Sequence, residues 1–336
     1  MKAVIWPYRF DDMKLTWQKQ MIWLVNSLIK YGVEVKPHVK FKCKGIENLN
    51  KYNPSIDHNA EICIYNHTDE SYIIGNVLPT KKNWFFKPTV PDKFYTTLDE
   101  LGYGPFSSIT YIKPDFENVN IGNFFETKVK NWIDNKISKW GNKLNKEEKI
   151  EESDFYLVIG QCGGDSVVTH FDFGSYFTKL EQVVIELVRI GNKKIIVKLH
   201  PDTDGVEGTA GSFKNNEFSL KLQKRLESLS SKVKVYIGKI NIHNFIEKSY
   251  CVILANSGAG IEAMMHHKPI IAWGFPDYHW VTYDLRHLAE LNEALKLKWF
   301  DQEKQDKFLY WYLEDYCFYN QETCDKRVKE LLADIV

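Results

Sequence analysis

The alternation of short apolar runs with amphipathic segments between residues 154 and 274 is the feature that most restricts the fold. The runs DFYLVIG, KKIIVKLH and YCVILANS are typical of buried strands, and SYFTKLEQVVIELVRIG between them carries apolar residues at helical spacing. Strands that alternate with helices form βαβ units, whose parallel sheet is covered on both faces. The second half of the chain is therefore predicted to be a doubly wound α/β domain.

The first half shows the same alternation less regularly. KAVIW, EICIYN and NWFFK predict strands, and KLTWQKQMIWLVNSLIKYG predicts a helix that ends at Gly32. Residues 88–120 are rich in proline and predict a long irregular segment of the kind that often carries function. The polar stretch GNKLNKEEKIEES predicts a linker. At 336 residues, two domains are expected, with bounds 1–150 and 151–305, followed by a helical segment over 306–336.

Composition excludes several classes of protein. The 44 Lys and Arg balance 44 Asp and Glu, so the chain lacks the basic excess of a nucleic-acid-binding protein. None of the six cysteines forms a C-x-x-C pair, which favours reduced thiols in a cytoplasmic protein over a zinc site. The opening MKAVIWPYRFDD turns polar too early for a signal peptide, and the apolar runs are too short for a membrane span.

The strand ends are the places to look for a site, because doubly wound sheets bind ligands beyond the carboxyl ends of their strands. QCGGDS follows the first strand of the second half. Its glycines allow a ligand to approach the backbone, and Asp165 would set a carboxylate at the mouth of the sheet. The alternative is that Asp165 only bonds its own backbone in a turn. The candidate ligand-binding residues here are Gln161, Gly164, Asp165 and Ser166.

Lys198 and His200 end the next strand and precede Pro201. An ammonium and an imidazole at a sheet mouth suit a phosphate or a carboxylate. The alternative is that His200 only caps the following element.

NSGAGIE follows the strand YCVILA and opens a helix. The unpaired amides and partial positive charge of a helix N-terminus favour an anion, most simply a phosphate. Ser257 could instead only cap the helix. Glu262 would either point sideways to ribose hydroxyls or only favour the helix dipole. The candidate phosphate-binding residues are Asn256, Ser257, Gly258, Ala259 and Gly260.

The loop FPDYHWVTYDLRH follows the strand PIIAWG and holds an aromatic cluster. Phe275 and Tyr278 could stack against a base or a sugar, or belong to a core or domain contact. Successive strand ends with polar, glycine-rich or aromatic loops together predict a nucleotide-sugar site in a two-domain transferase.

The segments GQCGGDS, VKLHP and NSGAGIEAMMHHKPIIAWG resemble, in that order, the bacterial capsule-polysaccharide synthesis proteins, which include β-Kdo transferases (Kdo is 3-deoxy-D-manno-octulosonic acid). The likeness covers residues 154–290, with FLYWYLEDYCFY and FKPTVPDKFYTTLDELGYGPFSS as further matches. It implies an α/β GT-B fold: two Rossmann-like, doubly wound domains face a cleft, and the C-terminal helix crosses back to the first.

The resemblance also implies a reaction in capsule or lipopolysaccharide O-antigen synthesis. Kdo would pass from CMP-Kdo to a saccharide acceptor with retention, through a covalent adduct on Asp165. His200 and the turn Ser257–Gly260 would hold the CMP phosphate, aided by a cationic His or Lys, and Glu262 would lie near the ribose. NSG stands where the family more usually has two serines before the glycine. CMP is itself a good leaving group, so no metal or other cofactor is expected.

The acceptor is expected to bind the N-terminal domain. Asp99, Glu100 and His67 are candidates for the general base, and Tyr103, Ser107 and Ser108 for contacts to acceptor sugar. An oligosaccharide or lipid-linked saccharide acceptor is expected, with peripheral contact to the inner membrane or to other polysaccharide-synthesis enzymes.

Two other functions stay open at this point. One is a UDP-sugar transferase or UDP-sugar 2-epimerase of the same fold. The other is a non-catalytic polysaccharide-assembly module.

Overall fold

The computed structural model divides the chain into two compact units, Met1–Tyr111 with Trp311–Val336, and Ile112–Tyr310. The structure describes residues 1–6, 15–37, 61–66, 82–92, 94–139, 149–163, 165–169, 176–201 and 217–333.

The described strands and helices have the following bounds. The strands are β1 (Lys2–Trp6), β2 (Glu34–Pro37), β3 (Ile62–Asn66), β4 (Lys82–Pro88), β5 (Thr96–Asp99), β6 (Phe155–Ile159), β7 (Ile195–Lys198), β8 (Val233–Tyr236), β9 (Ser249–Leu254), β10 (Ile270–Ala272), β11 (Tyr283–Asp284) and β12 (Cys317–Phe318). The α-helices are α1 (Leu15–Lys30), α2 (Ser108–Tyr111), α3 (Lys130–Asp134), α4 (Ser166–Thr169), α5 (Tyr176–Ile190), α6 (Glu217–Glu227), α7 (His243–Ile246), α8 (Ala259–Met265), α9 (Leu291–Ala294), α10 (Gln302–Trp311) and α11 (Gln321–Ala333).

The first unit is built on a sheet of order β12-β5-β4-β3-β1-β2. Strands β1 to β4 are parallel, and β5 runs antiparallel to β4. Helix α1 buries Leu24 and Leu28, one turn apart, in a core that also takes Val328 and Leu331 from α11. The segment after residue 310 therefore returns to the first unit, as the GT-B expectation requires. It also adds β12 to the edge of the sheet, antiparallel to β5.

The second unit is built on an all-parallel sheet of order β11-β10-β9-β6-β7-β8. Every residue of β6 and of β7 is buried, as expected for strands covered on both faces. The chain runs outward from β6 to β7 and β8, then returns to lay β9 against the other side of β6. The loops after β6 and β9 thus flank the topological switch point, where ligands bind in such sheets.

The boundary between the units lies at Tyr111 rather than near residue 150. Tertiary contacts decide this, because the backbone carbonyl of Ile137 accepts a hydrogen bond of 2.9 Å from His243 Nε2, deep in the second unit. Most of the predicted linker, residues 141–148, lies outside the described residues. The proline-rich segment predicted to be irregular contains β5.

Candidate functional site

Asp165 lies between β6 and α4 and is a partly exposed residue. Its backbone carbonyl accepts from the Val168 amide at 2.8 Å, its own amide donates to Cys162 O at 3.1 Å, and its Oδ1 lies 3.5 Å from the Val167 amide. Asp165 therefore shapes the turn into α4 and still presents a carboxylate at the carboxyl edge of the sheet. The turn interpretation of this residue is confirmed, and its role toward a ligand stays a prediction. Gly164 lies outside the described residues, as does the side chain of Ser166.

Gln161 and Asn256 form hydrogen bonds with each other. Gln161 Nε2 donates to Asn256 Oδ1 at 2.9 Å, and the Asn256 backbone amide donates to Gln161 Oε1 at 3.0 Å. Asn256 Nδ2 also donates to Val167 O at 2.8 Å. Both side chains are buried. The pair was predicted to contact a donor, but these bonds make it a brace that holds the loops after β6 and β9.

His200 follows β7 and is bonded to a thiol, with its Nδ1 3.1 Å from Cys162 Sγ. Burial lowers the pKa of His200 to about 4; the charges of Lys198 and Lys139 act in the same direction, and Asp165 opposes them. The imidazole is therefore neutral at pH 7. This corrects the expectation of a cationic histidine, because the sequence pattern shows position and not burial.

Lys198 is buried, with only 3% of its surface exposed. Its Nζ donates to Leu199 O at 2.6 Å and to Gly238 O at 2.8 Å. Burial lowers the pKa of this amine to about 7. Lys198 thus ties the end of β7 to the loop after β8, and its described bonds go to backbone carbonyls.

Three backbone amides of the turn Ser257–Gly260 and the start of α8 donate hydrogen bonds to acceptors within the same segment. The Gly260 amide donates to Ser257 O at 3.0 Å, the Ile261 amide to Gly258 O at 3.0 Å, and the Ala259 amide to Ser257 Oγ at 3.3 Å. The N-cap position of α8 is Gly258, and the Ser257 hydroxyl one residue earlier accepts from the first amide of the helix. A phosphate docked on this turn would have to use the amides of Ser257 and Gly258.

Tyr278 supports this turn from the interior. It is 1% exposed, and its hydroxyl donates to Ser257 O. A Cβ at position 260 would lie 2.3 Å from Tyr278 Cζ, so only glycine leaves room for the ring. Tyr278 is thus a core residue rather than the predicted stacking surface.

Phe275 is partly exposed, as are His279 and Trp280, so its predicted stacking role stays a prediction. Its ring lies 4.1 Å from the ring of His279, which in turn lies 4.2 Å from that of Trp280. Burial lowers the pKa of His279 to about 4, so this imidazole is also neutral. The three rings form an uncharged cluster beyond β10.

Glu262 is buried on α8, with 4% of its surface exposed. Burial raises its pKa to about 8, against the hydrogen bond from Ser138 and the charge of Lys139, so it is largely protonated at pH 7. Within the described part of the chain, its Oε1 has no hydrogen-bond partner. Sequence reasoning missed Ser138 and Lys139, because it assigned them to the other domain and no local motif marks them.

Asp99, a predicted general base, is fully buried in the first unit. Its carboxylate accepts from the amides of Leu101 at 2.8 Å, Gly102 at 3.1 Å and Ser108 at 2.9 Å, from the Ser108 hydroxyl, and from Tyr316 OH at 2.8 Å. The two oxygens of Asp99 thus accept bonds that stabilise the loop after β5 and one bond that holds the returning C-terminal segment.

The other predicted acceptor contacts are also mostly internal. Tyr103 is buried under Lys87, whose Nζ lies 3.4 Å from the ring centroid. Ser107 is fully buried and donates to Gly104 O at 2.8 Å. Glu100 keeps a partly exposed side chain. His67 lies outside the described residues.

Residues 116–319 match the family model described as "Capsule polysaccharide biosynthesis protein". This chain belongs to that family. A comparison with the sequences of curated proteins gives no match.

Two solved structures from Thermosulfurimonas dismutans KpsC resemble the chain. The β-Kdo 2,4-transferase has a TM-score of 0.60 at 15% identity and covers 95% of this chain and 92% of that one. The β-Kdo 2,7-transferase has a TM-score of 0.54 at 15% identity and covers 99% of this chain and 100% of that one. The likeness confirms the GT-B fold.

In this family member, the described residues contain no cluster of three or more His, Cys, Asp or Glu side chains that could hold a metal ion. Over the same residues, no helix is long and apolar enough to span a membrane. The carboxyl edge of the second sheet instead brings together a partly exposed carboxylate, a neutral imidazole and a capped small-residue turn. These groups can hold a phosphorylated ligand and present it with a nucleophile.

Proposed function

We propose that this protein is a retaining glycosyltransferase that moves Kdo from CMP-Kdo to an oligosaccharide or lipid-linked saccharide in capsule or O-antigen synthesis. One observation carries the proposal. Asp165 presents a partly exposed carboxylate beyond β6, between His200 beyond β7 and the turn Ser257–Gly260 beyond β9. Membership of the capsule family and the fold shared with two β-Kdo transferases support it.

In the first step, an Asp165 carboxylate oxygen attacks the anomeric carbon of Kdo. The bond from that carbon to the phosphate oxygen breaks, and CMP leaves with the electron pair. The developing positive charge on the sugar lies beside a carboxylate that can form an ester with it. The product of this step is a covalent glycosyl-Asp165.

In the second step, the acceptor hydroxyl loses its proton to a general base and attacks the same carbon. The ester bond breaks and returns the electron pair to Asp165. Each step inverts the anomeric carbon, so the whole reaction retains its configuration.

Neutral His200 assists the departure of CMP by a hydrogen bond rather than by charge. When the Cys162 thiol donates to Nδ1, the imidazole proton resides on Nε2 and can be donated to a phosphate oxygen. The amides of Ser257 and Gly258 complete this contact. CMP already leaves as a stabilised phosphate, so the proposal includes no metal or other cofactor, and it keeps the expected cytoplasmic location.

The test is the mass of the intact protein after incubation with CMP-Kdo. The parent should gain one Kdo residue at Asp165, and Asp165→Asn should gain none while binding CMP at least as tightly as the parent. NMR of the product should show an anomeric centre with the donor's configuration. Preferred binding of UDP over CMP would indicate a UDP-sugar enzyme, and full function of Asp165→Asn would indicate a non-catalytic module.

A further inference from the structure

The side chain of Asn256 bonds the loop that carries Asp165 on both sides of that residue. Its Oδ1 accepts from Gln161 Nε2 at 2.9 Å, before Asp165 in the chain, and its Nδ2 donates to Val167 O at 2.8 Å, after it. Nδ2 also donates to Gly274 O at 3.4 Å, beyond β10. Because β9 lies between β6 and β10, Asn256 connects the loops that follow three neighbouring strands.

The chemistry of the partners fixes the orientation of the Asn256 amide. Val167 O and Gly274 O are carbonyl oxygens that can only accept, so the amide must turn its nitrogen toward them and its oxygen toward Gln161 Nε2. Asn256 is 7% exposed, so a bond lost here leaves a shielded polar group without a partner. One planar amide thus supplies an acceptor and two donors, a set that neither a carboxylate nor a hydroxyl can match.

Val167 passes this constraint to Asp165. The carbonyl of Val167 accepts from Asn256, and its amide lies 3.5 Å from Asp165 Oδ1. The next amide, that of Val168, donates to Asp165 O at 2.8 Å. The turn from Asp165 into α4 is therefore anchored to β9 through Asn256.

We propose that Asn256 is a positioning residue that fixes the Asp165 carboxylate for attack on the activated sugar, an inference that rests on the proposed function. Asn256 acts through Val167 and the loop, and not on the reacting atoms. Attack on an anomeric carbon requires a set distance and direction, and a displacement of about 1 Å can cost on the order of a hundredfold in rate. The next residue, Ser257, begins the turn proposed to hold the phosphate, so Asn256 places nucleophile and leaving group in one frame.

The rate at which Asp165 gains Kdo tests this. Rapid-quench mass spectrometry measures it on the intact protein with saturating CMP-Kdo and without acceptor. Asn256→Ala removes the bonds on both sides of Asp165 and should lower the rate constant roughly ten- to a hundredfold. Its affinity for CMP, measured by calorimetric titration, should stay within about threefold of the parent, because the backbone amides of Ser257 and Gly258 remain.

Asn256→Asp supplies a readout that a purely structural role would not change. The introduced carboxyl still accepts from Gln161 Nε2, but it can donate to Val167 O only when it is protonated. Burial raises the pKa of such a carboxyl, so the ratio of the variant's rate constant to that of the parent should rise from about pH 8 to about pH 5. Taking the ratio removes the titration of Asp165, which both proteins share.

Ser249→Ala is the matched control. It removes a buried hydroxyl that donates to Ile246 O at 2.9 Å, at the opposite end of β9 from Asn256. This variant should lose stability and form the Kdo adduct at the parent's rate.

Two results would overturn the inference alone. One is the parent's rate of adduct formation in folded Asn256→Ala, and the other is a ratio for Asn256→Asp that does not rise as the pH falls. If the parent itself forms no adduct with CMP-Kdo, the proposed function fails, and the inference fails with it.

Discussion

Gln161 and Asn256 lie 95 residues apart and exchange two hydrogen bonds, of 2.9 and 3.0 Å, across the ends of β6 and β9. The two strands are adjacent in the sheet, and the pair sets the spacing of the loops that carry Asp165 and Ser257. We expect Gln161→Ala to destabilise the protein by about 2 kcal/mol, since it leaves a buried donor and a buried acceptor on Asn256 without their partner. Denaturant unfolding measures this. Asn118→Ala, which removes an exposed amide bonded to Asp115, should cost under about 0.5 kcal/mol.

Gly260→Ala should destabilise the second unit by about 1–3 kcal/mol, because the added methyl group overlaps the Tyr278 ring. Tyr278→Ala removes that ring, and in its background Gly260→Ala should cost much less. A double-mutant cycle, measured by thermal or denaturant unfolding, should therefore show a coupling free energy between the two positions. Additive costs for the two changes would contradict the contact.

Asp99 should behave as a structural residue and not as a base. Tyr316→Phe removes one of its donors and should cost about 1.5–3 kcal/mol, because the acceptor is a carboxylate. Asp99→Asn should lower stability while the folded enzyme keeps its kcat. A loss of kcat by orders of magnitude without loss of stability would restore Asp99 as a general base.

Glu262 should make stability depend on pH in a defined window. Its pKa is 4.5 without burial and about 8 in the folded protein. Between these values the folded state holds a proton that the unfolded state has released, so stability falls as pH rises, by about 1.4 kcal/mol per unit at most. Glu262→Gln removes this contribution. The variant should thus gain stability relative to the parent from pH 5 to pH 8 in denaturant titrations. A difference in the free energy of unfolding between the two proteins that stays constant over this range would refute the buried, protonated carboxyl.

Cys162 should affect turnover through His200. Cys162→Ala removes the thiol beside Nδ1 and is expected to lower kcat roughly tenfold, since the imidazole loses the bond that orients it. Cys162→Ser keeps a donor at that position and should retain most of the activity. The shape of the pH–rate profile should change in the alanine variant and not in the serine variant. Equal kcat values and profiles for all three proteins would argue against this role.

The sequence by itself determined the main strands and helices of the second unit and the edge at which its candidate site is expected. Strand and helix periods are local properties, so β6, β7, β9 and β10 could be predicted from short windows. Asp165, His200 and the turn Ser257–Gly260 were predicted as site residues for the same reason, because each directly follows a strand. The return of the C-terminal segment to the first unit was inferred from the family resemblance.

Only the tertiary structure decided what each polar group does at that edge. Gln161 meets Asn256 because β6 and β9 are neighbours, and Asp99 meets Tyr316 because the C-terminal segment comes back beside β5. Burial, which no local pattern measures, makes His200 neutral. The segment Lys136–Ile137 is held on the second unit by residues over 100 positions away in sequence, Asn241 and His243. Pairing between distant segments and removal from water are properties of the packed fold, and for that reason periodicity and motif spacing could not supply them.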